Sequence, residues 1–210
     1  MPSQTILQTV GQYYADRLER FGPTPRGVDW NSGESQELRF SRLLEVVRPA
    51  EAPVCPSILD VGCGYGALLD YVRGRALGLD YRGFDISEPM IAAARARHGE
   101  GDGATFSSDA RTLETATYVV ASGIFNVRLS FTLDQWRGYV LDTLSALDGW
   151  STAGFAFNML STHSDPGRRR DDLYYADPRE LFDICTRRFS PRVALLHDYP
   201  LFEFTVIVRK

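Results

Sequence analysis

A short apolar run, Ser57-Ile-Leu-Asp-Val61, leads directly into Gly62-x-Gly64-x-Gly66, and helical periodicity resumes at Ala67. Few arrangements accept that order of residues. The first stretch reads as a buried strand, the last as a helix over Ala67 to Arg73, and the glycines as the tight turn between them. Glycine tolerates positive φ and lets a ligand come close to the main chain. The N–H groups that open the next helix offer donors and a partial positive charge to an electron-rich group. The segment therefore predicts one βα unit of an α/β sheet, with a nucleotide-like ligand at its turn.

The rest of the chain repeats the alternation. Strands are expected at Tyr81 to Asp85, Ala104 to Ser107, Tyr118 to Ser122, Gly154 to Met159, Arg192 to His197 and Phe202 to Val208. Helices are expected at Glu88 to His98, with Pro89 in the first turn, at Leu133 to Leu147 behind a Thr132/Gln135 capping box, and from Pro178 to Arg187. Alternating units imply a mostly parallel sheet covered on both faces. The last two strands are too close for a helical crossover and should pair antiparallel. In the final one Phe202, Phe204, Val206 and Val208 alternate against Glu203, Thr205 and Ile207.

Ahead of this core, Ile6, Val10, Tyr13, Tyr14, Leu18 and Phe21 recur at helical steps. Gly22 to Gly27 breaks the pattern, and a second helix starts from Ser35, with Leu38, Leu43, Leu44 and Val47 as its stripe, closed by Pro49 and Pro53. So few apolar positions would not stabilise a domain alone. Residues 1–55 read as a helical prelude packed on a core of 56–210, the whole being one domain.

Composition narrows the partners. A formal charge of −4 argues against broad attraction to nucleic acid. No apolar run reaches the ~20 residues of a spanning helix, and Met1 to Thr5 does not open a signal peptide. Cys55, Cys63 and Cys185 are odd in number and lack metal-like CxxC spacing, so they read as free thiols in a cytoplasmic protein with no metal. Cys63 reads as a small residue filling the turn.

Asp85 ends the second strand, about where a carboxylate accepts both hydroxyls of a ribose bound at the first turn. The other reading of Asp85 is an N-cap of the next helix, a role Ser87 fills more naturally. The pairing supports adenosine-containing ligands generally, nicotinamide cofactors included, because Gly62-x-Gly64-x-x-Ala67 also fits the dinucleotide fingerprint.

Ile58-Leu-Asp-Val-Gly-Cys-Gly-Tyr-Gly66 resembles the first motif of the class I S-adenosylmethionine-dependent methyltransferases, whose acid ahead of the glycines is here Asp60. Tyr81-Arg-Gly-Phe-Asp-Ile-Ser-Glu-Pro-Met-Ile91 resembles the second motif and Ser108-Asp109-Ala110 the third. The resemblance covers roughly residues 35–210. It implies a Rossmann-like, doubly wound seven-stranded sheet in the order 3-2-1-4-5-7-6 with strand 7 antiparallel. It also implies S-adenosylmethionine as cofactor and S-adenosylhomocysteine as product. Gly62, Cys63 and Gly64 would line the methionine end, with Asp60 near its ammonium group. Asp85 and Ile86 would hold ribose and adenine, and Asp109 with Ala110 the adenine edge. Ser122, Gly123 and Phe125 would face both cofactor and acceptor.

Methyl transfer needs an in-line approach, a dry pocket and sometimes a base. His163, after the fifth strand, is the candidate base, against a loop histidine satisfied by its neighbours. His197 lies near the sheet edge, and His98 reads as a cation complementing its helix dipole. Trp30 reads as part of a lid, because a loop tryptophan needs burial, and Tyr174 is a candidate to close over the acceptor. Tyr13 and Tyr14 fit a core stripe. An inward Arg128 would pair with an acidic acceptor, whereas Arg168 to Arg170 reads as a solvated run. Asn126 lacks the Asn-Pro-Pro-Tyr pattern that resembles nucleic-acid and glutamine amino-methyltransferases. The reading is methyl transfer to a small molecule, at oxygen or a carboxylate, with no nucleic-acid or membrane partner. The alternatives are a nicotinamide-dependent oxidoreductase and a non-catalytic S-adenosylmethionine-binding module.

Overall fold

The computed structural model describes residues 4–48, 55–99, 101 and 103–210. The helix closure expected at Pro49 and Pro53 lies outside those residues. Six helices are present among the described residues: α1 (Gln4–Phe21), α2 (Gly33–Leu43), α3 (Ala67–Gly74), α4 (Glu88–His98), α5 (Leu133–Trp150) and α6 (Pro178–Arg188). Seven strands accompany them: β1 (Ser57–Val61), β2 (Asp80–Phe84), β3 (Ala104–Ser107), β4 (Ala116–Ala121), β5 (Ser151–Leu160), β6 (Arg192–Leu196) and β7 (Glu203–Arg209).

The strands form one sheet in the order β3-β2-β1-β4-β5-β7-β6. β7 runs antiparallel to both neighbours, and the other pairs are parallel. This is the sheet the resemblance implied. The β1–β2 register sets Asp60 opposite Gly83, and the β1–β4 register sets it opposite Val120.

Successive strand residues point to opposite faces, and both faces are covered. Leu59, Phe155, Phe157, Val206 and Val208 join Ile6 and Val10 of α1, Trp136 and Leu144 of α5 and Leu181 of α6 in one buried cluster. Ile58, Tyr81, Ala156 and Ile207 join Phe40 of α2, Leu68 and Leu69 of α3 and Ile91 of α4 in the other. Each of the leucine, isoleucine, valine and phenylalanine side chains contributes about 1.5–3 kcal/mol on burial.

Helix ends follow local chemistry. Thr132 accepts the Gln135 N–H at 3.2 Å, and the Gln135 side chain accepts the Thr132 N–H at 3.0 Å, so the expected capping box opens α5. α2 starts two residues earlier than its apolar pattern suggested, because the Ser32 hydroxyl accepts the Ser35 N–H at 3.1 Å. β7 departs from its reading. Phe202 lies outside the strand and is 47% exposed, while the polar positions Glu203 and Thr205 are buried. α2 and neighbouring segments cover the face that alternation alone would leave to water.

One connection carries no crossover helix. Residues 108–115 join β3 to β4 with only a 3₁₀ turn at Ala110–Thr112. α1 supplies cover from outside the alternation, entering Ile6 and Val10 into the cluster that holds Leu59, Val61 and Phe84.

Candidate active site

At the carboxyl ends of β1, β2 and β4 lies a cavity of about 540 Å3. Parallel sheets bind ligands at this edge, where the strand order reverses. The turn after β1 forms its floor. The Gly62 and Cys63 N–H groups both donate to the Phe84 carbonyl, at 2.7 and 3.0 Å, which ties the turn to β2. Gly62 has φ +79°, and a Cβ there would stand 2.2 Å from the Ile124 side chain. Glycine at this position therefore makes room for the segment after β4 as well as for a ligand.

Asp85 holds the same turn. Its Oδ2 accepts the Gly64 N–H at 2.9 Å and its Oδ1 accepts the Ser87 N–H at 2.9 Å. Burial raises its pKa, and the two amide donors pull it back. Ser87 occupies the N-cap position of α4, yet its buried hydroxyl makes no capping bond. Asp85 bonds the N–H of Ser87 itself, an Asx turn ahead of the helix, so neither side chain caps the first turn of α4.

Asp60 is 3% exposed and accepts the Tyr81 hydroxyl at 2.6 Å. Burial pushes its pKa up to about 7, with the Tyr81 bond opposing and nearby Asp85 adding to the rise. Ser122 lines the cavity with its Oγ buried and unpartnered among the described residues. Such a group costs free energy unless something bonds to it.

Of the residues expected to hold a cofactor, Asp60, Gly62, Cys63, Gly64, Asp85, Ile86, Ala110 and Ser122 all line this cavity. Asp109 does not. Its carboxylate accepts the Arg111 N–H at 2.9 Å and the Arg111 guanidinium at 2.7 Å, which holds its pKa at about 2. Ser108 and Ala110, on either side of it, line the cavity instead. Cys63 is buried, and burial pushes its thiol well above the usual range.

The acceptor-side expectations divide. Trp30 and Tyr14 line the cavity. Phe125 does not: it is fully buried, edge-to-face with Phe157 and Tyr139, and its carbonyl accepts the Trp136 indole N–H at 2.9 Å. Arg128 spends its guanidinium on the carbonyls of Phe131 and Asp171, bracing a loop outside the cavity. Tyr174 is buried in the core cluster, with its backbone N–H on the Asn126 carbonyl at 2.8 Å. His163 is exposed and stands 5.8 Å, ring to ring, from exposed His197. Neither lines the cavity, so the proposed base is misplaced.

Other single-residue readings are also revised. His98 is a buried ring stacked on Phe106 at the end of α4, and burial lowers its pKa against the pull of nearby Asp70, which disfavours the helix-end cation. Tyr13 leaves the core stripe to donate its hydroxyl to Asp29. Asn126 is buried and accepts the Leu160 N–H at 3.1 Å, a structural joint between strand ends. Arg168 to Arg170 are exposed, as their charge pattern suggested.

The structure also brings together residues that periodicity did not single out. Arg39 of α2 pairs with Glu203 of β7, and Asn158 of β5 joins them. Only one signal marked them, an acidic residue inside an otherwise apolar strand. Among the described residues no group of three or more His, Cys, Asp or Glu is placed to hold a metal, and no helix is long and apolar enough to cross a membrane.

An open α/β sheet with a reversed last strand, and a glycine turn flanked by a buried and a half-buried carboxylate, define a nucleotide-cofactor enzyme architecture. Comparison with known proteins specifies it. The family profile described as "Methyltransferase domain" matches residues 59–146. A Mycobacterium tuberculosis protein named "Putative methyltransferase Rv1506c" is 53% identical over 154 residues, covering 73% of this chain and 93% of the relative. The magnesium protoporphyrin IX methyltransferase (ChlM) of Synechocystis PCC 6803, solved with bound SAH, superposes with a TM-score of 0.64. It is 17% identical, over 97% of this chain and 99% of that one. Human N-acetylserotonin methyltransferase (ASMT) gives a TM-score of 0.65 at 13% identity, over 100% of this chain and 60% of that one. The chain belongs to the class I S-adenosylmethionine-dependent methyltransferases. That membership decides between the methyl-donor and nicotinamide readings that the glycine turn and Asp85 had left open.

Proposed function

We propose that this enzyme transfers a methyl group to an oxygen of a small-molecule acceptor held in the cavity above the glycine turn. The observation that carries the reading is the gathering of Asp60, Asp85 and the unpartnered Ser122 hydroxyl in one cavity with that turn. These groups fit the cofactor. Asp60 suits its ammonium group, Asp85 its ribose, Ile86 and Ala110 its adenine, and Ser122 offers a hydroxyl with no protein partner to lose. Bound there, the sulfonium supplies an activated methyl group.

The residues of the chain do the rest by position. Trp30 and Tyr14 cover the cavity and exclude water, which favours an in-line approach over side reactions. Neither histidine nor lysine lines the cavity among the described residues. General-base help from His163 is therefore withdrawn, and orientation is the main contribution of the protein. With Arg128 engaged elsewhere, the carboxylate acceptor loses its partner, which leaves a hydroxyl. Relatives of the same fold support a small molecule, since the names of two of them are those of a porphyrin and an N-acetylserotonin methyltransferase.

Calorimetry with S-adenosylhomocysteine and with NADH tests the cofactor. Wild type should bind the first and give no heat with the second, and Asp85→Ala should weaken binding about tenfold or more, the scale of a lost hydrogen bond to a charged group. A preference for NADH, or no effect of Asp85→Ala, would remove this reading.

A further inference from the structure

Five residues close a ring of contacts beside the cavity. The Trp30 ring lies under the Arg39 guanidinium, whose Cζ is 3.9 Å from the ring centroid. Arg39 Nε donates to Glu203 Oε2 at 2.8 Å and Nη2 to Oε1 at 2.5 Å. Asn158 Nδ2 donates to Glu203 Oε2 at 3.3 Å, and the Gly123 N–H donates to Asn158 Oδ1 at 2.7 Å. Gly123 closes the ring, because a Cβ there would meet Trp30 Cζ2 and Cη2 at 2.4 Å. Gly123 has φ +74°, so both its conformation and its bareness serve that contact. Arg39, Glu203 and Asn158 are only 6%, 2% and 0% exposed.

We infer that this circuit fixes Trp30 as a stacking platform and that the acceptor is an uncharged, planar, largely apolar molecule laid against it. The inference rests on the methyltransferase reading and adds the acceptor class. A buried ion pair is a weak source of stability but a strong constraint on geometry. With one face under a guanidinium and an edge on Gly123, the indole can offer the cavity only its other face. Arg39 and Glu203 are themselves absent from the cavity lining, so their charges stand behind the platform.

The lining confirms the polarity this platform asks for. Its charged side chains are Asp60, Asp85 and Arg111. The two carboxylates sit at the glycine turn, and Arg111 is exposed and paired with Asp109. The same lining includes Val28, Phe40, Tyr14 and Ile124, with Gln36 and Thr143 as uncharged polar side chains among them. An anionic acceptor would lose its hydration there while the two nearest cations stay engaged, Arg39 with Glu203 and Arg111 with Asp109, which is costly. A cationic one would face a ring already carrying a guanidinium on its far side. A neutral ring suits the site, since offset stacking of aromatics adds about 0.5–1.5 kcal/mol beyond area burial.

The test uses full-length protein saturated with S-adenosylhomocysteine and two fluorescent probes of similar shape. These are neutral N-phenyl-1-naphthylamine and its anionic relative 8-anilinonaphthalene-1-sulfonate. The neutral probe should bind about tenfold tighter than the sulfonate, the scale expected for leaving one charge uncompensated. Trp30→Ala should weaken the neutral probe about tenfold with the homocysteine adduct still bound, and Trp30→Phe should retain most of the affinity. Arg39→Lys keeps a charge for Glu203 but loses the planar fork, and it should weaken the neutral probe in wild type yet add nothing in the Trp30→Ala background. That non-additivity separates positioning from general loosening. Tighter sulfonate binding, an unaffected Trp30→Ala, or additive Arg39→Lys would overturn the proposal. Absence of adduct binding to wild type would instead strike the cofactor reading, and this proposal with it.

Discussion

An aspartate normally ionises near 3.9, and Asp60, buried under Tyr81, does so only at about 7. Between those values the folded chain holds a proton that the unfolded chain has released. Stability contributed by this group is therefore present below about pH 4 and declines as pH rises toward 7. A cation placed against Asp60 favours the carboxylate and reverses that preference. Binding of S-adenosylhomocysteine should therefore release a proton below pH 7, with affinity rising up to about tenfold per pH unit and levelling above it. Asp60→Asn should flatten the profile. Calorimetry in two buffers of different ionisation enthalpy checks both points, and a flat wild-type profile would mean that Asp60 does not meet the ammonium. Cysteine chemistry separates just as cleanly at this scale. Cys55 is exposed, while Cys63 and Cys185 are buried with raised thiol pKa values. Brief alkylation of the native protein should label Cys55 alone, as mass spectrometry of its peptides would show.

At the scale of elements, α5 depends on its cap. It carries Trp136, Leu144 and Leu147 into the core, and Tyr139 and Trp150 into the cavity wall. Thr132→Ala removes an acceptor for one of the free N–H groups of the first turn and should cost about 1 kcal/mol. Urea unfolding should show a lower midpoint with an unchanged slope. This cap was legible because both partners lie within four residues. The polar half of β7 was not. Alternation reports that Glu203 and Thr205 share a face, but it does not say whether water or another element covers it. Here Arg39, 164 positions away in sequence, meets Glu203, and Tyr199 bonds Thr205 at 2.9 Å.

At the scale of the whole molecule, the first helix packs on the sheet. We propose that residues 1–55 and 56–210 form one domain, since Ile6 and Val10 share a buried cluster with Val61 and Phe84, and Trp30 closes the cavity. Deleting residues 1–30 should then lower unfolding stability by about 3 kcal/mol or more, the burial of two such side chains. Adduct affinity should fall as well. An intact, cofactor-binding remainder with unchanged urea midpoint would make the prelude an appendage.

What could be read from the chain alone were the features whose partners are local or strictly periodic. The strand–glycine–helix turn, the seven strands, the capping box and the antiparallel close all belong to that kind. So do the residues around the turn, because Asp60, Gly62, Gly64 and Asp85 are placed by the ends of two adjacent strands. The acceptor side was decided only in three dimensions. His163, Phe125 and Arg128 follow strand ends in sequence and Tyr174 lies in the long loop after β5, but their side chains are taken by neighbours or by solvent. Trp30, Arg39, Asn158 and Glu203 come from one loop and three separate elements, and they meet only in the folded chain. Side-chain direction at a loop depends on which distant group arrives to receive it, and no local pattern carries that information.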